Sequence, residues 1–194
     1  MSSQVSPEIV IRELTLDDLA RLGEVDAAFE SDAILCVNKI VEGLGVAWRL
    51  REELLTQVHR RCYAPADDAE LADIRSHLEE RRGLLLAAEH EGRLAAWLDV
   101  KPEEWNKTAR IWTILVDRAY RGRGLGRELV ERAIAWAREK GYRALWLETQ
   151  TDNINACRFY RHMGFHISGI RDDLYTNNDI GRREVAIFWS YPLE

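Results

Sequence analysis

The sequence is poor in cysteine and contains no cysteine pattern that would build a disulfide framework or a zinc site. Its 194 residues include three cysteines, Cys36, Cys62 and Cys157, an odd number at wide spacing. Disulfide-rich domains and zinc sites need paired or closely spaced cysteines. We therefore expect three reduced, mostly structural thiols and no resident metal.

Long apolar runs and a basic excess are also missing. The strongest apolar runs, such as 84–88, are far too short to cross a bilayer, and residues 1–10 lack the basic start and apolar core of a signal peptide. The formal net charge is -6, which disfavours nucleic-acid binding because nucleic acids attract basic surfaces. The sequence thus predicts a cytoplasmic protein without membrane or nucleic-acid partners, better suited to a cationic substrate.

The composition is that of a globular protein, 46% hydrophobic and 31% charged, without repeats or linker-like segments. A chain of this length can bury a full core in one domain, so one domain over 1–194 is expected. In its first third, residues 9–13 alternate as a strand and Thr15 precedes two acids, as at a helix N-terminus. The remaining predictions for this third are a helix continuing to about Phe29, a strand at 34–41 and helices at 48–61 and 67–80.

The pattern is cleaner after Gly83. Apolar runs flank His90-Glu91-Gly92, which is typical of a tight hairpin, and Gly141 is a plausible stop for the helix that precedes it. This order of elements predicts a mixed α/β domain with at least one right-handed strand–helix–strand unit. The predicted elements are strands at 84–89, 93–100 and 109–116, a long helix from 125, a strand at 144–148, a helix at 155–162, and strands at 165–170 and 184–191.

The glycine-rich segment 121–126 is a candidate anion site. Glycines between a strand and a helix expose main-chain N–H groups where the helix dipole attracts negative charge, and Arg118, Arg121, Arg123 and Arg127 add positive charge. The segment is not a P-loop, because no Gly-Lys-Ser/Thr follows, nor a Rossmann fingerprint, because the third glycine is missing. A plain turn in which glycine only permits positive φ remains the alternative.

Two motifs in order resemble the GNAT N-acetyltransferase superfamily. The first is Val116-Asp117 followed by Arg121-x-x-Gly124-x-Gly126 and a long amphipathic helix, and the second is Asn155-Ala156-x-x-Phe159-Tyr160-x-x-x-Gly164-Phe165. Within the superfamily, segments 146–150, 159–160, 174–175 and 184–189 resemble streptothricin acetyltransferases, a class linked to antibiotic resistance. The resemblance is strong over 84–191 and loose in the N-terminal third, which would lie mainly on the acceptor side.

The resemblance implies a central, mostly antiparallel sheet that is splayed at the acyl-CoA site and flanked by helices. It also implies that acetyl-CoA donates an acetyl group to an amine of a small cationic substrate, with streptothricin as the specific candidate, by direct attack in a ternary complex. The oligomeric state, a homodimer included, and the acyl-chain preference stay open. The cofactor-binding residues implied are Ile114, Leu115, Val116, Arg121, Gly122, Arg123, Gly124, Leu125, Gly126 and Asn155.

The resemblance also implies two catalytic residues. Tyr160 matches a phenol that protonates the departing thiolate, and Glu148 matches a strand-end carboxylate that takes the proton of the amine or anchors the substrate ammonium. A lysine-like amine with a pKa of ~10.4 must lose a proton before it attacks, which costs about 4–5 kcal/mol at pH 7. A carboxylate can accept that proton, and the reaction requires neither a metal nor a covalent role for Cys157.

Alternatives stay open for these residues and for the function. Tyr160 could be a core tyrosine, Glu148 a solvated acid and Asn155 a helix N-cap. The chain could instead acetylate a protein terminus, a lysine or a polyamine, or it could be a non-catalytic acyl-CoA sensor. Further candidates on the acceptor side are Trp112 and Trp189 as lining, His162 and His166 as bases, and Asp172, Asp173 and Asp179 as anchors for a polycation.

Overall fold

The chain is described by a computed structural model over residues 9–64 and 66–193. Within those ranges, no helix combines the length and apolarity needed to span a bilayer. Short 3-10 helices cover Leu16–Glu24 and Arg118–Tyr120. The other elements are β1 (Val10–Glu13), β2 (Phe29–Glu42), β3 (Gly45–Arg61), α1 (Asp68–Glu79), β4 (Leu84–His90), β5 (Arg93–Glu103), β6 (Thr108–Val116), α2 (Leu125–Glu139), β7 (Ala144–Gln150), α3 (Ile154–His162), β8 (His166–Arg171), α4 (Asp179–Arg182) and β9 (Ala186–Pro192).

The chain divides into two compact units. The first contains the described residues within 1–28, 63–145 and 193–194, and the second contains 29–62 and 146–192. The expectation of a single domain over 1–194 stays a prediction. Each unit has its own strands and helices, and each carries some of the candidate site residues.

The first unit is built on four strands in the order β1-β4-β5-β6, and each neighbouring pair is antiparallel. The predicted hairpin between β4 and β5 is confirmed: His90 pairs with Arg93, and the two turn residues, Glu91 and Gly92, have φ values of 51° and 78°. Positive φ at both positions matches the right-handed twist of the strands. Side chains from the sheet, α1 and the first 3-10 helix form one apolar core, which includes Leu14, Leu19, Leu22, Val25, Ile74, Leu85, Leu94 and Trp97.

The helix predicted from Thr15 to about Phe29 is shorter than expected and is a 3-10 helix. Thr15 is its N-cap, as the sequence indicated, and the structure adds a capping box with Asp18. The helix ends at Glu24 because β-branched Val25 is extended and because the Glu24 carboxylate accepts a hydrogen bond from the Leu94 amide at 2.9 Å. Phe29 begins β2 instead.

In the second unit, β2 and β3 form a long antiparallel hairpin, with Ile40 opposite Ala47 and Cys36 opposite Arg51. The prediction of a helix at 48–61 was therefore wrong. Its Leu, Glu, Arg and Gln residues favour a helix, but helix propensity is a weak preference that strand pairing overrides. Partial burial at Trp48, Leu50, Glu53 and Leu55 follows no single helical face. The strand predicted at 34–41 is confirmed and is longer.

The second unit also contains β7 from Trp146 onward, then β9 and β8 in that order, and β8 and β9 are antiparallel. Their bounds agree with the predicted strands to within two residues.

The helix predicted at 67–80 is confirmed as α1, which lies in the first unit. It begins after the N-cap Asp67, whose side chain accepts from the Glu70 amide. The predicted mixed α/β fold with mostly antiparallel strands and flanking helices is thus confirmed, while its splay at an acyl-CoA site stays a prediction.

Candidate functional site

In the first unit, Asp117 organises the turn that leads from β6 into the glycine segment. Its carboxylate is buried and accepts two main-chain hydrogen bonds, from the Asp26 amide at 3.0 Å and from the Ala119 amide at 2.8 Å. The Asp117 amide in turn donates to the carbonyl of Ala95 at 2.9 Å. A buried carboxylate with several N–H donors is well stabilised, so the chain leaves β6 in one fixed direction.

Arg121 ties the start of the glycine segment back to the main chain. Its Nε donates to the carbonyl of Val116 at 3.1 Å, and its Nη1 donates to the carbonyl of Ala28 at 2.7 Å. The planar guanidinium can hold two carbonyls at once because its donors point in fixed directions. Arg121 therefore shapes the loop, a role that the sequence did not indicate.

The other arginines expected to supply positive charge also have contacts in the chain. Arg118 pairs with Asp26 at 2.8 Å, and Arg127 lies 3.8 Å from Glu131. Arg123 lies over the ring of Tyr120, 5.5 Å from its centroid. The positive potential near the segment is thus lower than four unpaired arginines would give, and main-chain N–H groups become the more important donors for an anion.

Two glycines give this segment its shape. Gly122 and Gly124 have φ values of 74° and 86°, in the left-handed region that glycine adopts without strain. Gly124 is the N-cap of α2 and makes no side-chain cap, so the first amides of the helix stay available to an anion. The turn interpretation and the anion-site interpretation are therefore compatible.

Helix α2 is anchored at both ends of its 15 residues. Leu125, Leu129, Val130 and Ala133 lie on its buried face. At the C-terminus, the Gly141 amide donates to the carbonyl of Arg138 at 3.1 Å and the Tyr142 amide to that of Ala137 at 3.0 Å, which is a Schellman motif. The stop predicted at Gly141 is confirmed, and the helix dipole is held in line with the glycine segment.

The strand residues implied to hold the pantetheine arm lie at the end of β6. Ile114, Leu115 and Val116 are half-buried and stand opposite Leu98, Trp97 and Ala96 of β5. This pairing fixes the main chain of 114–116 as an extended ladder that runs directly into the Asp117 turn. The role of these residues in cofactor binding stays a prediction.

In the second unit, Glu148 on β7 is held by side chains. Its Oε1 accepts a hydrogen bond from the phenol of Tyr175 and lies 3.5 Å from Nε2 of Gln150. Burial raises the pKa of Tyr175, and the hydrogen bond to Glu148 raises it further. The phenol is therefore a protonated donor over the whole physiological range, and Glu148 is a half-buried, hydrogen-bonded carboxylate rather than a fully solvated one.

Tyr160 on α3 is buried, with 5% of its surface exposed. Its ring centroid lies 5.1 Å from that of Phe159, 5.6 Å from Phe165 and 6.5 Å from Trp189. The ring therefore packs in an aromatic cluster, as in the core interpretation. That packing fixes the direction of the phenol, and its role as a general acid stays a prediction.

Asn155 lies in the first turn of α3 but does not cap it. The N-cap is Asn153, whose side chain accepts from the Ala156 amide at 3.1 Å. Asn155 is exposed, and its Nδ2 donates to the carbonyl of Glu30 at 2.9 Å. The N-cap alternative was therefore wrong, and the cofactor contact proposed for Asn155 stays a prediction.

The remaining acceptor-side candidates differ in their surroundings. Trp189 is buried, with its Nε1 donating to Thr149 Oγ1 at 2.9 Å, whereas Trp112 is 48% exposed. Asp172 pairs with Lys39 at 2.7 Å and Asp173 with Arg171 at 2.9 Å. Asp179 is fully buried, so its carboxylate does not reach solvent as an anchor for a polycation would. His162 and His166 are both exposed.

The three cysteines are free, as predicted. Cys157 is buried, and burial raises the pKa of its thiol to about 11, so it is neutral at pH 7 and a poor nucleophile. Cys36 is half-buried and Cys62 is exposed. Only Cys157 therefore fits the expected picture of a buried structural thiol.

Sequence reasoning missed an ionic cluster in the second unit. Arg61 Nη1 lies 3.2 Å from Asp152 Oδ2 and 2.5 Å from Glu184 Oε1, and His59 Nε2 lies 3.0 Å from the same Asp152 oxygen. These contacts connect β3 with the chain after β7 and the chain before β9. The wrong helix at 48–61 hid them, because in a helix His59 and Arg61 would not share a partner.

Comparison with known proteins agrees with this architecture. Residues 36–165 match the acetyltransferase (GNAT) family. Streptothricin acetyltransferase A of Bacillus subtilis is 33% identical over 144 residues, which are 74% of this chain and 79% of that protein. The streptothricin acetyltransferase of Streptomyces lavendulae is 37% identical over 102 residues, 53% of this chain and 53% of that protein.

Two solved structures extend the similarity to nearly the whole chain. A nourseothricin acetyltransferase is 26% identical, covers 96% of this chain and 99% of its own, and superposes with a TM-score of 0.79. A Bacillus anthracis protein in complex with acetyl coenzyme A is also 26% identical, covers 97% and 99%, and gives a TM-score of 0.75. The chain therefore belongs to the GNAT acetyltransferase family and is an acetyl-CoA-dependent N-acetyltransferase.

Proposed function

We propose that this enzyme transfers the acetyl group to an amine of a small cationic acceptor, and that streptothricin is such an acceptor. The observation that carries the proposal is the 33% identity with a streptothricin acetyltransferase over 74% of the chain. The net charge of -6 supports a cationic acceptor over an anionic one. A resistance role against this antibiotic class would follow.

For the first unit, we propose that the glycine segment binds the pyrophosphate of coenzyme A. Gly122, Gly124 and Gly126 let the main chain approach closely, and the first amides of α2 supply donors. The extended chain of 114–116 would hold the pantetheine arm by main-chain hydrogen bonds, and an amide near Leu115 would stabilise the oxyanion. The proposed pyrophosphate-binding residues also include Arg123 and the Leu125 amide. Arg121 contributes by shaping the loop.

For the second unit, we propose that Glu148 accepts the proton of the acceptor ammonium and that Tyr160 supplies a proton to the leaving thiolate. The neutral amine then attacks the thioester carbonyl, and the carbon–sulfur bond breaks as the thiolate takes the phenol proton. The acetyl group stays on nitrogen, which loses its second proton and so restores the phenol. Deprotonating a lysine-like ammonium at pH 7 costs about 4–5 kcal/mol, which is the part of the barrier that a held carboxylate lowers. Asn155 would contact the cofactor near the start of α3.

The test is release of coenzyme A thiol from acetyl-CoA against a panel of amines, with products checked by mass. The panel contains streptothricin, aminoglycosides, polyamines and peptides with a free α-amine or lysine. We expect fast release with streptothricin and a single added acetyl group on the product. Turnover only with a peptide or a polyamine would overturn the proposed acceptor and favour the alternative acceptors instead.

A matched cellular test uses expression of the enzyme in a streptothricin-sensitive strain. Protection that disappears in the Glu148→Gln variant at equal protein level would support the proposal. Absence of protection by active enzyme would refute the resistance role. The cytoplasmic location and the homodimer suggested at the outset stay predictions.

A further inference from the structure

We infer that Tyr175 and Asp179 are positioning residues for the acceptor chemistry: Asp179 fixes the turn at 174–179, and the turn presents the Tyr175 phenol to Glu148. The inference deepens the proposed function and rests on the role proposed there for Glu148. It concerns contacts within the second unit, and the resemblance to the family pointed to Tyr175 without assigning it a role.

The first step is the contact between Tyr175 and Glu148. The half-buried phenol donates to Glu148 Oε1, and Gln150 Nε2 lies 3.5 Å from the same oxygen. With one carboxylate oxygen held, rotation of the carboxylate is restricted, so its second oxygen points in a defined direction. A general base needs this, because proton transfer requires hydrogen-bond distance and alignment.

The second step is the set of hydrogen bonds by which Asp179 holds the main chain at Tyr175. Asp179 is fully buried and accepts three hydrogen bonds: from the Tyr175 amide at 3.0 Å to Oδ2, and from the Thr176 amide and hydroxyl, each at 2.7 Å, to Oδ1. Burial alone would raise the pKa of Asp179, but these hydrogen bonds outweigh burial and lower it. The carboxylate therefore stays charged and fixes the main chain of the residue that carries the phenol.

The third step is electrostatic. A hydrogen bond to the charged form of an acid favours that form, so the phenol helps to keep Glu148 ionised and ready to meet an ammonium ion. The charged groups that act on Tyr175 are Glu148 and Glu184, with Gln150 as a polar neighbour. Because two negative carboxylates disfavour a negative phenolate, the Tyr175 phenol keeps its proton and acts as a hydrogen-bond donor, not as a general acid.

The test compares two tyrosines that make the same contact. Tyr142 is half-buried and donates to Glu104 Oε1 at 2.7 Å, in the first unit and with no proposed function. We expect Tyr175→Phe to lower kcat/KM for the acceptor about tenfold or more and to move the acid limb of the pH profile upward, with acetyl-CoA binding unchanged. Tyr142→Phe should keep wild-type kinetics, and equal kinetics of the two variants would overturn the inference.

The role of Asp179 is tested by a double-mutant cycle in the full chain. If Asp179 acts through the phenol, Asp179→Asn lowers kcat/KM in the wild-type background and has little further effect in the Tyr175→Phe background. Additive losses would overturn its positioning role. Thermal melting of all variants separates loss of fold from loss of activity, and the Tyr175→Phe result stands even if Asp179→Asn folds poorly.

One more variant separates failure of this inference from failure of the proposed function. If Glu148→Gln retains full turnover, the role of Glu148 is refuted and the inference falls with it. If Glu148→Gln is inactive while Tyr175→Phe behaves as Tyr142→Phe does, only the inference is refuted. Loss of activity in both Glu148→Gln and Tyr175→Phe supports the two together.

Discussion

The glycine segment of the first unit is formed mainly by main-chain groups, whereas the Glu148 contacts of the second unit are formed by side chains. The first is a main-chain structure: positive φ at Gly122 and Gly124, an N-terminal helix turn and an arginine that binds carbonyls. The second depends on side chains, namely a carboxylate, a phenol and a buried aspartate from segments about 30 residues apart.

Because of this difference, the two regions should tolerate different kinds of substitution. A main-chain site is insensitive to most side chains but sensitive to residues that cannot adopt positive φ. A side-chain site is sensitive to the loss of single polar atoms, because a buried group left without its partner is costly. Substitutions in the two regions should therefore fail in different assays: acetyl-CoA binding in the first, acceptor turnover in the second.

The largest effect is expected at Glu148. Glu148→Gln removes the charge and keeps the size, so turnover should fall about 10²- to 10⁴-fold, the usual contribution of a general base. Glu104→Gln, at another carboxylate that accepts from a tyrosine phenol, is the control and should turn over normally. The measurement is single-turnover acetyl transfer. A fully active Glu148→Gln enzyme would refute the role of Glu148 in acceptor turnover, and with it the contrast between the two regions.

A smaller effect is expected for Tyr160→Phe. It deletes the phenol and leaves the aromatic packing. Turnover should fall about 10- to 100-fold, less than the usual acid–base contribution of about 10²- to 10⁴-fold, because a thiolate with a pKa near ~8.5 needs only modest help to leave. Acetyl-CoA affinity should stay nearly intact. Tyr191→Phe, on a ring that also packs on Phe165 at 5.3 Å between centroids, is the matched control. Collapse of acetyl-CoA binding in Tyr160→Phe would contradict the general-acid role.

The main-chain half is tested by two glycines of one helix. Gly124 and Gly141 both have positive φ, 86° and 75°, and a Cβ added at either meets no atom within 4 Å. Each change to alanine should cost about 1–2 kcal/mol of folding free energy through strain. Only Gly124→Ala should also weaken acetyl-CoA binding, about tenfold. Equal affinities of the two variants, measured by calorimetry, would argue against the glycine segment as the anion site.

The smallest effect on activity is expected for a side-chain network within the first unit. Asp18 is buried and accepts from Arg12, from the Thr15 amide and from the Thr15 hydroxyl. Asp18→Asn should cost about 2 kcal/mol of folding free energy and leave kcat unchanged. Asp17→Asn, at an exposed acid of the same first turn, should change stability little.

The same aspartate gives a pH prediction. Hydrogen bonds from Arg12, in the first place, hold the pKa of Asp18 far below its usual range in the folded state. Its contribution to stability is therefore complete above the unfolded value of about 4 and is lost as pH falls further. Acid unfolding of Asp18→Asn should show a weaker pH dependence below about pH 4 than that of the wild type.

The two regions also differ in how far the sequence predicts them. The glycine segment, α2 and its stop at Gly141 are contiguous, so spacing and residue type were enough to predict them. The segment 48–61 was misassigned because its helix-favouring residues pair with β2, and such long-range pairing leaves no local signal. The Arg61, Asp152 and Glu184 cluster was missed for the same reason.

The sequence did not predict the contact of Tyr175 with Glu148. Both residues belong to segments that resemble streptothricin acetyltransferases, but the contact depends on how the turn at 174–179 closes on Asp179. That closure is decided by three hydrogen bonds to one buried carboxylate. An aspartate in a polar segment is more often solvated, so the pattern gave no reason to single it out.

The unequal exposure of the three thiols has a practical meaning for spectroscopy. Cys157 is buried and protonated at neutral pH, and Cys36 is half-buried beside Glu53 and Arg183. An alkylating dye should therefore react first with the exposed Cys62. A single fluorophore could thus be installed at the end of β3 without engineering, as a reporter of events in that part of the chain.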